Sequence, residues 1–327
     1  MKFRTEYDAH KSPKLLNPEE PAVLIGSCFT DYIGNRMRFC RWRAFPNITG
    51  TLYNPASIAN TLRIAINCNN VLDCIRESTV RNGSLWVSWL TDSGATTYDL
   101  HDTTNRIFHG FIRLHNRLFE ARTLIVTFGT AWVYELREHP GYIVSNCHKF
   151  PSDTFIRRRL TVKEITEEWN TLLKLIAKQF PNLKIIFTVS PVRHLKDGFE
   201  GNSRSKAILQ LACEEICSAN PQADYFPSFE IMNDDLRDYR FYTSDLVHPS
   251  DSAVDYIWNK FQETFLSEES RKLLAEGEKV TKRLSHRPII HGNSQLAEYI
   301  ASLEESKAID YYNAFISAHP TMLHIDE

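Results

Sequence analysis

The sequence lacks several features that would assign a chain of 327 residues to a class at once. No stretch approaches the ~20 consecutive apolar residues that a helix needs to cross a bilayer, and the first residues lack the apolar segment of a secretory signal. The formal net charge is only -2, so no overall field attracts nucleic acid or an anionic membrane. These absences predict a cytoplasmic protein without a nucleic-acid or membrane partner, although a chain trimmed of its leader would look the same.

Cysteine follows no recognisable pattern. The seven cysteines are an odd number without the spacing of a disulfide framework, which suits a reducing compartment. Cys213 and Cys217 have the i, i+4 spacing of some metal ligands, but no second pair accompanies them. Core packing is the preferred interpretation of this pair. The sequence predicts neither a metal nor an organic cofactor.

Short apolar runs alternate with helical patterns along the chain. Three helix starts are indicated, by a cap and proline at Asn54-Pro55, a capping box from Thr161 to Glu164, and Pro249. Five runs are typical of buried parallel strands: Ala22–Ile25, Trp42–Phe45, Leu124–Phe128, Lys184–Val189 and Ala223–Phe226. This alternation predicts an α/β fold with a doubly wound parallel sheet.

The length suits one large α/β domain with an extension. Residues 1–268 are expected to form the α/β domain, with an insertion at about residues 67–121 that either caps a site or decorates an edge. From residue 269 the composition shifts to charged helix formers. Helices are expected over Arg271–Arg283 and Gln295–Ser317, separated by His286-Arg287-Pro288. Residues 269–327 are therefore predicted to be a helical C-terminal extension.

A serine at the end of the first strand and a distant Asp-x-x-His pair indicate a hydrolytic site. Ser27 follows the first apolar run, where ligands bind in open parallel sheets. Asp245 can reach one imidazole nitrogen of His248 while the other faces outward. Alone, each feature is as typical of a turn or a helix start, but together they predict a Ser-His-Asp triad. Cys28 is expected to be a small buried residue rather than the nucleophile. Phe29 stands where a Gly-x-Ser-x-Gly elbow has its second glycine, which argues against an α/β-hydrolase.

The segment Gly26-Ser27-Cys28-Phe29-Thr30 resembles the motif that names the GSCFA family, with Thr30 where that name has Ala. Other segments are similar to the same family: residues 52–57, 128–132, 146–149 and 190–194. The resemblance covers about residues 20 to 260 and implies a branch of the SGNH (GDSL-like) hydrolase superfamily. It implies a three-layer α/β/α, flavodoxin-like sheet and a serine esterase. The implied substrate is a small-molecule or carbohydrate ester, with O-acyl groups such as O-acetyl.

The resemblance also implies roles for individual residues. Ser27 would be the nucleophile, His248 the base and Asp245 the group that orients it. Backbone N–H groups of Ser27 and Gly50 would face the oxyanion. The superfamily's usual Gly-x-Asn is Gly-Thr-Ala at residues 129–131, so a further donor must come from elsewhere. Asn146 is the preferred candidate, and the alternatives are Asn54 and Thr130. The residues expected to line the substrate are Trp132, His148, Arg193 and His194.

Two other functions remain open from the sequence. The same site could transfer an acyl group to a bound acceptor that displaces water. Alternatively, the fold could serve as a catalytically silent glycan-binding module, for which the missing third-block Asn is the best support. The sequence identifies neither the acyl group nor the alcohol of the substrate.

Overall fold

A computed structural model describes residues 4–286 and 295–325. The strands of these residues are β1 (Ala22–Gly26), β2 (Ala44–Pro46), β3 (Thr79–Asn82), β4 (Leu85–Ser88), β5 (Thr123–Phe128), β6 (Trp132–Leu136), β7 (Ile143–Val144), β8 (Phe155–Arg159), β9 (Lys184–Val189) and β10 (Ala223–Phe226). The helices are α1 (Phe29–Phe39), α2 (Pro55–Ile66), α3 (Val71–Ser78), α4 (Leu100–Glu120), α5 (Val162–Gln179), α6 (Gly198–Ala219), α7 (Ser228–Glu230), α8 (Asp251–Phe265), α9 (Glu268–Ser285) and α10 (Gln295–Ala318).

Five parallel strands form the central sheet in the order β10-β9-β5-β1-β2. Counted along the chain, these are strands 5-4-3-1-2, which is the flavodoxin-like order read from the other edge. The order reverses between β1 and β5, where Ala22 pairs with Thr123 and Gly26 with Thr127. The predicted α/β fold with a central parallel sheet and C-terminal helices is confirmed. The topology also creates a crevice at the carboxyl ends of β1 and β5, where ligands bind in such sheets.

Successive side chains of the central strands point to opposite faces of the sheet and fill two apolar layers. In β1, Val23 and Ile25 belong to one buried cluster, and Ala22 and Leu24 to the other. Helices α2, α4, α5 and α6 cover the first face, and α1, α8 and α9 cover the second. Burial on both faces explains why these strands are continuous apolar runs.

At two of the three positions where the sequence predicts a helix to start, the structure has the predicted cap. Asn54 caps α2 through its side-chain oxygen, and Thr161 and Glu164 form a reciprocal capping box on α5. The helix expected to open at Pro249 begins two residues later, because the hydroxyl of Ser250 accepts a hydrogen bond from the N–H of Ala253. Serine is a better helix cap than proline, which lacks a side-chain acceptor.

The long connections carry structure that the periodicity only partly indicates. Residues 67–121 contain α3, the antiparallel β3–β4 pair and α4. Strands β6, β7 and β8 form an antiparallel sheet in the order β7-β6-β8, which the sequence patterns do not predict. This sheet follows β5 directly, so it stands beside the carboxyl edge of the central sheet.

The C-terminal helices pack on the second apolar layer. Leu274 and Val280 of α9 and Phe315 of α10 are buried in the same cluster as α1 and α8. A Cβ on Gly277 would lie 2.2 Å from the carbonyl oxygen of Cys40, so glycine allows α9 to approach the end of α1. Arg287 and Pro288, expected to separate the two helices, lie outside the described residues. No helix of the described ranges is long and apolar enough to cross a membrane.

Candidate active site

Ser27 lies at the crevice between β1 and β5. Gly26 precedes it with φ 143°, and a Cβ there would lie 2.2 Å from the carbonyl oxygen of Thr127, so the turn requires glycine. The N–H of Ser27 donates to that same carbonyl at 3.1 Å. The residue is 1% exposed, and its Oγ has no hydrogen-bond partner among the described residues. Its hydroxyl is therefore fixed in position by the backbone but not engaged.

The turn after β5 packs directly against this serine. The carbonyl of Tyr53 accepts hydrogen bonds from the N–H groups of Gly129, at 2.8 Å, and Thr130, at 2.9 Å. A Cβ on Gly129 would lie 3.0 Å from that carbonyl oxygen and 3.2 Å from the Cβ of Ser27. The close approach of three chain segments around Ser27 leaves little room for a side chain at residue 129.

Asp245 and His248 are joined as the spacing predicts. The imidazole Nδ1 of His248 lies 2.6 Å from Oδ2 of Asp245. The other carboxylate oxygen accepts hydrogen bonds from the hydroxyl of Thr243 and the N–H groups of Val247 and His248. These bonds, led by the His248 N–H, hold the pKa of the Asp245 carboxyl well below its usual range. The carboxylate therefore stays ionised and fixes the imidazole.

A cavity of about 410 Å³ brings His248 together with residues from remote parts of the chain. Cys28, directly after Ser27, lines it beside Tyr53. The antiparallel sheet contributes Trp132 to one wall, and the loop after β9 contributes Arg193. The cavity thus lies at the carboxyl edge of the central sheet. Of the four predicted substrate-lining residues, it contains three: Trp132, Arg193 and His194.

The three candidate oxyanion donors also line this cavity, but they differ in how far their polar atoms are already used. Asn54 accepts from the N–H of Ser57 at 2.8 Å and donates to its hydroxyl at 3.0 Å. The hydroxyl of Thr130 shares a hydrogen bond of 3.1 Å with that of Ser205. Asn146 accepts through Oδ1 from the backbone at 2.7 Å, and its Nδ2 has no acceptor in the described part of the chain. The Asn146 amide is therefore the freest of the three donors.

Ser27 and Asp245 are not themselves in the cavity lining, although their neighbours Cys28 and Val247 are, and two further predicted residues, Gly50 and His148, are not brought to the cavity. The N–H of Gly50 donates to the carbonyl of Asn47 at 2.8 Å, which closes a turn. Gly50 instead packs against the carboxylate of Asp92, which leaves no space for a Cβ. His148 is 8% exposed, and its Nε2 lies 2.7 Å from the carbonyl of Ser88. Turn closure and burial against β4 account for both positions.

A fully buried lysine lies beneath the site. Lys206 of α6 donates from Nζ to the carbonyl oxygens of Gly129 and Ser190, each at 2.7 Å. Burial lowers the pKa of its ammonium group to about 7. Burial, together with the charges of Lys206 and His248, lowers the pKa of the His194 imidazole to about 4. At neutral pH His194 is therefore an uncharged wall of the cavity, and its ring packs edge-on against Tyr53, with centroids 5.7 Å apart.

The sequence analysis does not predict three of the cationic residues of the site, Arg157, Lys196 and Lys206. Arg157 belongs to the run of three arginines at the end of β8, and its guanidinium lies 4.1 Å from the ring centroid of Trp132. The arginine run is apparent in the sequence, but its contact with Trp132 depends on the pairing of β8 with β6, which the sequence patterns do not predict. Lys196 lies in an exposed loop, and Lys206 follows an ordinary helical pattern, so neither carries a local signal of function.

The match to a protein-family model agrees with the sequence motifs. The model of the GSCFA family matches residues 21–261. No curated protein matches the sequence. A solved structure from Streptococcus pneumonia, provisionally assigned as a platelet activating factor, aligns with a TM-score of 0.36 and 13% identity. The alignment covers 75% of this chain and 83% of that chain.

Proposed function

Because the chain belongs to the GSCFA family, we propose that it is a serine hydrolase that cleaves ester bonds with Ser27, His248 and Asp245. The observation that carries this proposal is the Asp245–His248 pair, joined at 2.6 Å, whose His248 lines the same cavity as Cys28, the residue next to Ser27. A serine needs a base to take its proton, and the base needs a third group to hold its tautomer. The family match and the motif around Ser27 support the same assignment.

The proton route follows from the hydrogen bond. With Asp245 accepting from Nδ1 of His248, the imidazole carries its proton on that nitrogen, and Nε2 is left as the base. In the proposed reaction Ser27 Oγ attacks the ester carbonyl, and Nε2 takes the hydroxyl proton and returns it to the leaving alcohol. Water then attacks the acyl-enzyme by the same route. Asp245 stabilises the imidazolium that forms in both steps.

The developing oxyanion needs donors that are not already in use. The N–H groups of Ser27 and Gly50 each donate to a carbonyl in this structure. The side-chain amide of Asn146 is the proposed principal donor, because it lines the cavity with a free Nδ2. The N-terminus of α1, which begins directly after Ser27 and Cys28, adds a favourable dipole for negative charge.

One observation favours a second candidate, the silent glycan-binding module of the same fold. Ser27 Oγ is shielded from solvent and makes no hydrogen bond to His248 in the described structure. In the hydrolase, Ser27 Oγ and His248 Nε2 must move into hydrogen-bond distance when substrate binds, because catalytic hydrogen bonds often form fully only in the substrate complex. In a binding module no such closure is needed.

A fluorophosphonate probe separates these two functions, because it labels only an activated serine. We expect the purified protein to gain one probe mass on the peptide that contains Ser27, and Ser27→Ala to gain none. Cys28→Ser is the matched control, since it changes the adjacent residue and should still be labelled. An unlabelled wild-type protein would favour the binding module, and a labelled Ser27→Ala protein would refute the assignment of the nucleophile.

A further inference from the structure

The cavity beside Ser27 has an uneven charge. Three cationic side chains line it, Arg157, Arg193 and Lys196, against one carboxylate that faces the same space, Asp197. Asp197 forms an ion pair with Arg157, so the charges of these two side chains cancel. The remaining two cations face the cavity without an acid to neutralise them, because no carboxylate of the described residues lies within 4.0 Å of either.

The partners of these two cations are neutral. The guanidinium of Arg193 donates to the side-chain oxygen of Asn233, and Nζ of Lys196 lies 3.4 Å from the hydroxyl of Tyr134. Both partners hold the side chain in place but leave its charge uncompensated. The amide in particular engages one edge of the planar guanidinium, so the other donors of Arg193 stay available to a ligand.

Two other arginines of the fold, by contrast, are neutralised by carboxylates. Arg158, one residue from the cavity wall, pairs with Glu135 at 2.9 Å and with Glu164 at 2.7 Å. Arg63 pairs with Glu168 at 2.7 Å. Half-buried Arg193 and exposed Lys196 have no such carboxylate, and both line one cavity.

We propose that the ester substrate carries an anionic group, a carboxylate or a phosphate, which Arg193 and Lys196 bind. This rests on the proposed hydrolase function and adds the substrate class. Guanidinium matches the paired oxygens of such groups, and charge-assisted hydrogen bonds are about twice as strong as neutral ones. Aromatic rings of Trp132 and Tyr134 provide the apolar surface for the rest of the ligand.

Three chromogenic esters test this and show on which side of the ester the anion lies. Mono-4-nitrophenyl adipate carries a carboxylate in its acyl part, 5-hexanoyloxy-2-nitrobenzoate carries one in its alcohol, and 4-nitrophenyl hexanoate is neutral. We expect at least one anionic ester to have a kcat/KM about tenfold above that of the neutral ester at low ionic strength, after correction for spontaneous hydrolysis. The advantage should shrink as salt is raised.

The double variant Arg193→Gln/Lys196→Gln should lower this ratio of kcat/KM values by about tenfold. The matched control, Lys174→Gln/Lys178→Gln, removes two exposed charges from α5 and should preserve the ratio. A wild-type ratio near one for both anionic esters would overturn the proposal while leaving ester hydrolysis intact. A ratio that the double variant does not change would overturn it as well.

Binding separates failure of this proposal from failure of the proposed function. Calorimetry with mono-4-nitrophenyl adipate is done on the Ser27→Ala protein, in which no turnover can occur. We expect Arg193→Gln/Lys196→Gln in that background to weaken binding about tenfold. That result would support the anion site even if the wild-type protein hydrolyses no ester. Equal binding of 4-nitrophenyl hexanoate and the adipate ester, or binding of neither, would refute it.

Discussion

The carboxylate of Asp245 holds His248 at two points, with Oδ2 2.6 Å from the ring Nδ1 and Oδ1 3.0 Å from the backbone N–H. One side chain therefore sets both the loop and the ring orientation. Leu246 between them has φ 60°, a conformation that few non-glycine residues adopt and that closes the loop tightly. Because these contacts lower the pKa of Asp245, its carboxylate stays ionised over the whole neutral range.

The first prediction concerns the order of importance within this pair. His248→Ala should reduce ester turnover by about 10³–10⁶, because no other group takes the proton of Ser27. Asp245→Ala should reduce it less, since the imidazole can still act when it is poorly oriented. The double variant should be about as slow as His248→Ala alone. Steady-state kinetics of the three proteins test this, and losses that multiply would contradict a shared role.

A second prediction distinguishes the two asparagines of the cavity. Asn146→Ala should lower turnover by about 10²–10³ with little change in thermal stability, because its free amide is the proposed oxyanion donor. Asn54→Ala removes the cap of α2 and should destabilise the fold by about 0.5–2 kcal/mol. Thermal unfolding and initial rates of both variants are the measurements. Normal turnover in Asn146→Ala would move the donor role to Thr130.

The third prediction is an acid sensitivity that originates at His194. Its folded-state pKa of about 4 lies below the ordinary 6.5, so the unfolded chain takes up the proton first as the pH falls. Stability is therefore fully present above pH 6.5 and is lost towards pH 4, with a slope of up to about 1.4 kcal/mol per pH unit. His194→Gln should flatten that slope.

Urea unfolding between pH 4.5 and 7.5 measures the effect. His139→Gln serves as the control, because His139 is exposed on the loop after β6. An unchanged slope in His194→Gln would mean that other groups cause the acid sensitivity.

The fourth prediction concerns the buried Lys206. Lys206→Met keeps the aliphatic volume but leaves the carbonyl oxygens of Gly129 and Ser190 without their donor. The fold should lose about 1–3 kcal/mol, since an unsatisfied buried acceptor costs that much. Denaturant unfolding measures it against Lys174→Met, an exposed change on α5 that should stay within about 0.5 kcal/mol. Wild-type stability in Lys206→Met would show that the two carbonyls find other donors.

The sequence by itself determined the features that depend on neighbours along the chain. The five strands of the central sheet are apolar runs, and the first and last residue of each strand lie within two positions of the predicted bounds. The caps at Asn54 and Thr161 need contacts only three residues away. The Asp245–His248 contact is of the same kind, because an i, i+3 spacing at a tight turn brings the two side chains together. Local geometry suffices for all of these.

Only the tertiary structure decided what surrounds that pair. That Asn54 and Asn146 line one cavity with His248, and that Gly50 does not, depends on the packing of segments remote in sequence. His148 is turned to Ser88 by the insertion strand β4, far away in sequence. Arg157 reaches the cavity because β8 pairs with β6 and brings its guanidinium onto Trp132. Contacts between segments remote in sequence form only when the elements pack together. The periodicity of a sequence reports on neighbours along the chain and therefore cannot predict these contacts.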